Sequence, residues 1–192
     1  MLLFLFRLAN LALLGIGLLR SISTKLPPHI AKSGHFQFIT NCSLLTTVVY
    51  LVLRTFFDAP RWLYNLACNL EFNVVVSYWT MAIFFSSMVS EPDVERDLFL
   101  DMQVHLFPYL YLISDAQEAV SRDMSWGMTV GYVFVYWVYV EWECGKHLGD
   151  GVSGFPYPFM KGMNKVQRLG SMAVFAGIAC ANYFVLSFRN KW

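Results

Sequence analysis

A hydroxyl, an imidazole and a carboxylate are the groups in this sequence best placed to do chemistry. Thr40 follows Phe36, Gln37, Phe38 and Ile39 into an apolar stretch. At 1.5 Å per residue it lies about 6 Å beneath the end of that stretch. His105 falls in a later stretch, about 10 Å deep by the same rise. Asp101 precedes it by one helical turn, so the two side chains share a helix face. An Asp there accepts one imidazole N–H, fixes the tautomer and leaves the other nitrogen as an acceptor. With a hydroxyl opposite, the set becomes nucleophile, base and orienter. Each residue also has a plainer role. A Thr hydroxyl bonds the carbonyl one turn back, a buried His is held in a structural hydrogen bond, and an Asp near the headgroups is solvated.

Other polar residues divide in the same way. Asn41, about 100° around the helix from Thr40, is either an oxyanion donor or a contact for a neighbouring helix. Lys161, Lys165 and Arg168 share one face of a helical segment. They suit a lipid carboxylate or phosphate, or simple anchoring at the headgroups. Glu71 and Asn73 open an apolar stretch of their own and are expected to reach the interface.

Lipid must surround the elements that position these groups. Of 192 residues, 57% are apolar and only 14% charged, against about 45–50% and about 25% in soluble domains. One core at this length cannot bury that surplus. Six stretches approach the roughly 20 apolar residues of a spanning helix: 1–20, 36–57, 68–90, 97–114, 126–143 and 170–188. Arg7 lies inside the first rather than ahead of it, which reads as a retained span and not a signal peptide. The fourth is the most polar, with Asp97, Asp101, Gln103 and His105. The expected fold is an all-α polytopic membrane bundle of about six transmembrane helices, forming a single membrane domain over 1–192. The second and fourth spans are both even-numbered and cross in one direction. Thr40 and His105 therefore lie beneath the same membrane face.

Several function classes drop out. Fourteen Lys and Arg against thirteen Asp and Glu give no electrostatic case for nucleic acid. Cys42, Cys68, Cys144 and Cys180 form no C-x-x-C pair, so neither a metal cage nor a redox dithiol is expected. Four scattered His are too few for a multi-histidine iron centre. A Ser nucleophile elbow, a phosphate-binding loop and an H-E-x-x-H helix are all missing from the sequence. Any chemistry comes from residues brought together by folding, and no cofactor is expected.

The same residues carry a family resemblance. Gly34-His35-Phe36-Gln37-Phe38-Ile39-Thr40-Asn41, then Val104-His105-Leu106-Phe107-Pro108, Gly131-Tyr132 with Trp137-Val138, and Gly154-Phe155-Pro156-Tyr157-Pro158-Phe159 occur in that order. In order and approximate spacing they resemble the androgen-induced membrane protein family. That family includes the androgen-dependent regulator of tissue factor pathway inhibitor. The resemblance implies a multi-span hydrolase of fatty acid esters of hydroxy fatty acids, with an intramembrane Thr nucleophile and a His. It places the Thr on Thr40 and the His on His105, and it assigns nothing to Asp101. Met102 stands where animal relatives carry a further His, and Pro108 follows the His more closely than theirs does.

The expected function is an intramembrane lipid ester hydrolase using Thr40 and His105. Its partners are membrane lipids and the ester substrate, and its location is the endoplasmic reticulum membrane. The alternative is a non-catalytic scaffold or subunit of a membrane complex. Protein partners are not assigned. Transport is disfavoured, because the buried polar residues gather towards one face.

Overall fold

The computed structural model describes residues 1–85 and 97–189. The acidic turn at 91–95, Arg96, Lys191 and the end of the expected third span at 86–90 lie outside the described residues. Eight helices follow one another: α1 (Leu2–Ser23), α2 (Pro28–Ala31), α3 (Ile39–Phe56), α4 (Arg61–Phe84), α5 (Leu98–His105), α6 (Phe107–Ser114), α7 (Arg122–Gly145) and α8 (Lys165–Arg189). No strand occurs among the described residues.

Three of these helices are long and apolar enough to cross a membrane: Leu2–Ser23, Ile39–Phe56 and Lys165–Phe188. Helices α4 and α7 match them in length, at 24 residues each, but carry more polar groups. On α7 the outward face is still apolar, with Val130, Phe134, Val135 and Val138 exposed. On α4 the polar groups point inward. Asn65, Asn69, Glu71 and Asn73 are each no more than 1% exposed. Glu71 is therefore not an interfacial residue: the helix begins at Arg61, which carries Glu71 deep into the bundle.

Start signals are local. The Asp97 side chain accepts from Leu100 N–H at 3.0 Å to begin α5. Asn164 and Gln167 exchange side-chain-to-backbone bonds of 2.9 Å each, a capping box for α8. The expected span 97–114 is broken at Leu106, whose φ and ψ of −134° and −53° are not helical. Pro108 explains the break, since it offers no N–H to the Val104 carbonyl and its ring crowds that oxygen.

The chain crosses the bundle six times, with α5 and α6 sharing one crossing. Antiparallel registers follow from cross-links such as Ser21–Asn41 and Arg7–Arg54 between α1 and α3. Between α7 and α8 they are Trp126–Cys180 and Glu141–Arg168. One end of the bundle gathers the start of α1 and the end of α8; the other gathers the connections at 24–38 and 146–164, and these are called here the terminal end and the loop end.

Helix α4 is the central pillar. Glu71 accepts from Thr47 of α3 at 2.8 Å. Asn69 donates to Ser125 and Thr129 of α7 at 3.0 and 2.9 Å and accepts from Asn182 of α8 at 3.1 Å. Tyr109 of α6 closes the chain by donating to Asn182 at 2.7 Å. In hydrocarbon such pairs fix register, because an unpaired alternative costs several kcal/mol, although Glu71 Oε2 is buried without a partner of its own.

Candidate functional site

His105 is the last residue of α5, at the break before α6. Its Nδ1 lies 3.0 Å from the carbonyl oxygen of Asp101. A carbonyl only accepts, so Nδ1 carries a proton, which in the neutral imidazole leaves the lone pair on Nε2. The Asp101 carboxylate is farther away, with Oδ1 at 4.0 Å from Nδ1. Backbone, rather than side chain, is thus the nearer orienting group. Tyr78 of α4 lies flat against the imidazole, centroids 3.4 Å apart and planes 4° from parallel.

Helix α5 is pinned to α1. Arg20 donates to Asp97 at 2.5 Å and to Gln103 at 3.4 Å, and Gln103 donates to the Leu13 carbonyl at 2.6 Å. Gly17 permits this approach. A Cβ there would meet Gln103 Cγ at 2.8 Å, closer than carbon atoms allow.

Thr40 is the second residue of α3 and is half-buried. The strand-like residue before it, Phe38, follows a short 3₁₀ turn that Gly34 opens at φ +67°, a conformation suited to glycine. Gln37 is fully buried and clamps this turn, donating to the carbonyls of Ile30 and Gly34 at 2.6 and 2.7 Å. Tyr136 of α7 donates to the Gln37 carbonyl, and Tyr157 accepts from Ile39 N–H at 3.0 Å. The Asn41 N–H is taken by Phe38. Within this anchored turn, neither the hydroxyl nor the N–H of Thr40 is hydrogen-bonded among the described residues.

The register of α3 against α4 relates the two residues. The Thr47–Glu71 bond and the Tyr50–Tyr64 ring contact, 5.6 Å between centroids, set the helices antiparallel. One heptad towards the loop end on each helix brings Thr40 level with Tyr78 on the same facing surfaces. The register thus sets Thr40 of α3 at the level of Tyr78 of α4, the residue whose ring stacks on His105. Among the described residues no hydrogen bond is formed between Thr40 and His105.

The remaining residues singled out in the sequence have definite places. Asn41 is 3% exposed and committed: it donates to the His35 carbonyl at 2.9 Å and accepts from Ser21 at 2.7 Å. Arg168 binds Glu141 through two bonds of 2.6 and 2.9 Å and lies 3.8 Å over the Phe155 ring. Lys161 and Lys165 are exposed at the loop end, Lys165 near the Trp137 ring. A lateral groove of about 380 Å³, lined by Phe36, Cys42, Thr46, Trp62, Leu66 and Tyr132, lies on the other side of α3 from Thr40. Among the described residues, no group of three or more His, Cys, Asp or Glu is placed to hold a metal.

Tyr78 was not singled out in the sequence, because a tyrosine near a span end reads as part of an interfacial belt. Its spacing of seven from Glu71, matched by the spacing of Thr40 from Thr47, is the one signal that points to it.

A family model described as FAR-17a/AIG1-like protein matches residues 2–191. The UPF0641 membrane protein YHR140W of Saccharomyces cerevisiae is 26% identical over 208 residues, covering 92% of this chain and 85% of the relative. The UPF0641 membrane protein PJ4664.05 of Schizosaccharomyces pombe is 22% identical over 177 residues, covering 83% and 76%. No solved structure matches the chain.

Proposed function

The chain belongs to the FAR-17a/AIG1-like family of helical membrane proteins, and on that footing we propose that it hydrolyses lipid esters within the bilayer. The substrate class is fatty acid esters of hydroxy fatty acids, the nucleophile is Thr40 and the base is His105. What supports the reading is the α3–α4 register, which sets Thr40 at the level of the Tyr78 ring that stacks on His105, together with the Asp101 carbonyl beside Nδ1, which favours the tautomer with its lone pair on Nε2.

The steps follow from that geometry. His105 Nε2 takes the Thr40 proton as Oγ1 attacks the ester carbonyl carbon. Negative charge develops on the carbonyl oxygen. The Thr40 N–H, uncommitted among the described residues at the positive end of α3, suits it as a donor. The tetrahedral intermediate expels the hydroxy acid, whose oxygen receives the proton from His105. Water, deprotonated in turn by His105, then cleaves the acyl-Thr40 ester and restores both residues. Lys161 and Lys165 suit the free carboxylate of the substrate, since Arg168 is already bound to Glu141. The endoplasmic reticulum membrane is the proposed location, on the strength of the family resemblance.

A fluorophosphonate probe on membranes expressing the chain tests this. Wild type is expected to label and to release the hydroxy acid from such an ester. Thr40→Ala and His105→Ala are expected to lose both, by at least about a hundredfold. Equal labelling and equal turnover in all three would leave a non-catalytic membrane scaffold as the reading.

A further inference from the structure

At the terminal end, α1, α3 and α6 bring two guanidinium groups to one carboxylate. Arg7 takes nearly all that Asp115 offers, with Nε 2.7 Å from Oδ2 and Nη2 2.8 Å from Oδ1. Tyr111 donates to the same Oδ2 at 2.9 Å. The third Arg7 donor reaches the Arg54 carbonyl at 3.4 Å. Asp115 is 5% exposed, so this pairing is removed from water.

Arg54 is left over. Its Nε stands 3.8 Å from Asp115 Oδ2, near enough to be attracted and too far to bond. That nitrogen is buried without a hydrogen-bond partner. Five other arginines give a direct contrast. Arg7, Arg20, Arg61, Arg122 and Arg168 each donate to a carboxylate. Among the described residues Arg54 donates to none. Asp58, just beyond the end of α3, is exposed and forms no ion pair with it among those residues. The cluster therefore carries one net positive charge, on a partly exposed guanidinium that makes no hydrogen bond among the described residues and whose nearest carboxylate is already taken by Arg7, at the end of a membrane bundle. An uncompensated charge in such a place is costly, and planar guanidinium donors match an oxyanion with two oxygens. Around it, Phe4, Phe56 and Phe57 are exposed, with Phe4 and Phe56 in edge contact.

We propose that Arg54, poised beside the Arg7–Asp115 pair, binds a phosphate oxyanion at the membrane face opposite Thr40. The shared chemistry is a phosphate group with two accessible oxygens, supplied by an anionic phospholipid headgroup or by free phosphate. This site is independent of the hydrolase reading.

Detergent-solubilised full-length protein, titrated with dioleoylphosphatidic acid or dioleoylphosphatidylcholine and followed by native mass spectrometry and thermal unfolding, tests it. Wild type is expected to bind phosphatidic acid at least about tenfold more tightly than phosphatidylcholine. Arg54→Gln is expected to erase that preference, while Lys25→Gln, at the other end, keeps it. Inorganic phosphate that displaces the lipid identifies the free ion as ligand; failure to displace it identifies the headgroup. Either result supports an oxyanion site. Lipid-free Arg54→Gln is expected to unfold at or above the wild-type temperature. Unchanged lipid preference in Arg54→Gln, no preference in wild type, or a marked fall in lipid-free stability would each overturn the proposal.

Discussion

The two ends of the bundle use polar groups in opposite ways. At the terminal end, Arg7, Asp115 and Tyr111 consume one another's donors and acceptors, and the connections are short. At the loop end, Gln37, Asn41, Tyr136 and Tyr157 are likewise committed, but their bonds hold backbone in place around a threonine that stays uncommitted. At the terminal end these three close on one another and leave only Arg54 over; the loop end is a frame around an open position. Burial of polar groups in a membrane thus serves two purposes here, cross-linking helices and pre-organising a turn.

Substitutions at the two ends should separate these purposes. The largest effect is expected from Asp115→Ala, which strands Arg7 and Arg54 without a carboxylate. Stability in detergent should fall by about 3–5 kcal/mol, measured by equilibrium unfolding. Protein that remains folded should still label at Thr40, since that site lies at the far end. Gly17→Val comes next. The new side chain collides with Gln103, whose amide is tied to Leu13, so α5 must shift. A loss of about 1–3 kcal/mol is expected, together with reduced probe labelling because α5 carries His105. Asp101→Asn should do least. The backbone carbonyl that orients the imidazole remains, so turnover should change by less than about tenfold, measured as kcat on the ester. A loss as large as that of His105→Ala would instead make the carboxylate the essential orienter.

Much of this architecture was legible from residue order. Apolar runs announced helices, and their parity put Thr40 and His105 at one membrane face. The turn-apart spacing of Asp101 and His105 announced their contact, though not that the carbonyl rather than the carboxylate would make it. What stayed hidden was set by pairing between helices. Nothing local to Glu71 says that α4 begins ten residues earlier and buries the carboxylate against Thr47. Arg7 looked anomalous in its span because its partner, Asp115, is 108 positions away. Tyr78 is indistinguishable from an interfacial aromatic until the α3–α4 register is known. Pro108 was visible, but continuous hydropathy across 97–114 concealed the break it imposes.

That break changes what a proton meets at His105. Because Pro108 cannot donate, the fourth crossing stops and restarts, and the Val104 carbonyl near the end of α5 loses its helical donor. The imidazole hangs at this negative pole. In the proposed reaction an imidazolium formed there would meet the carbonyl end of α5 instead of bare hydrocarbon. A straight helix through the same depth would offer no such reception.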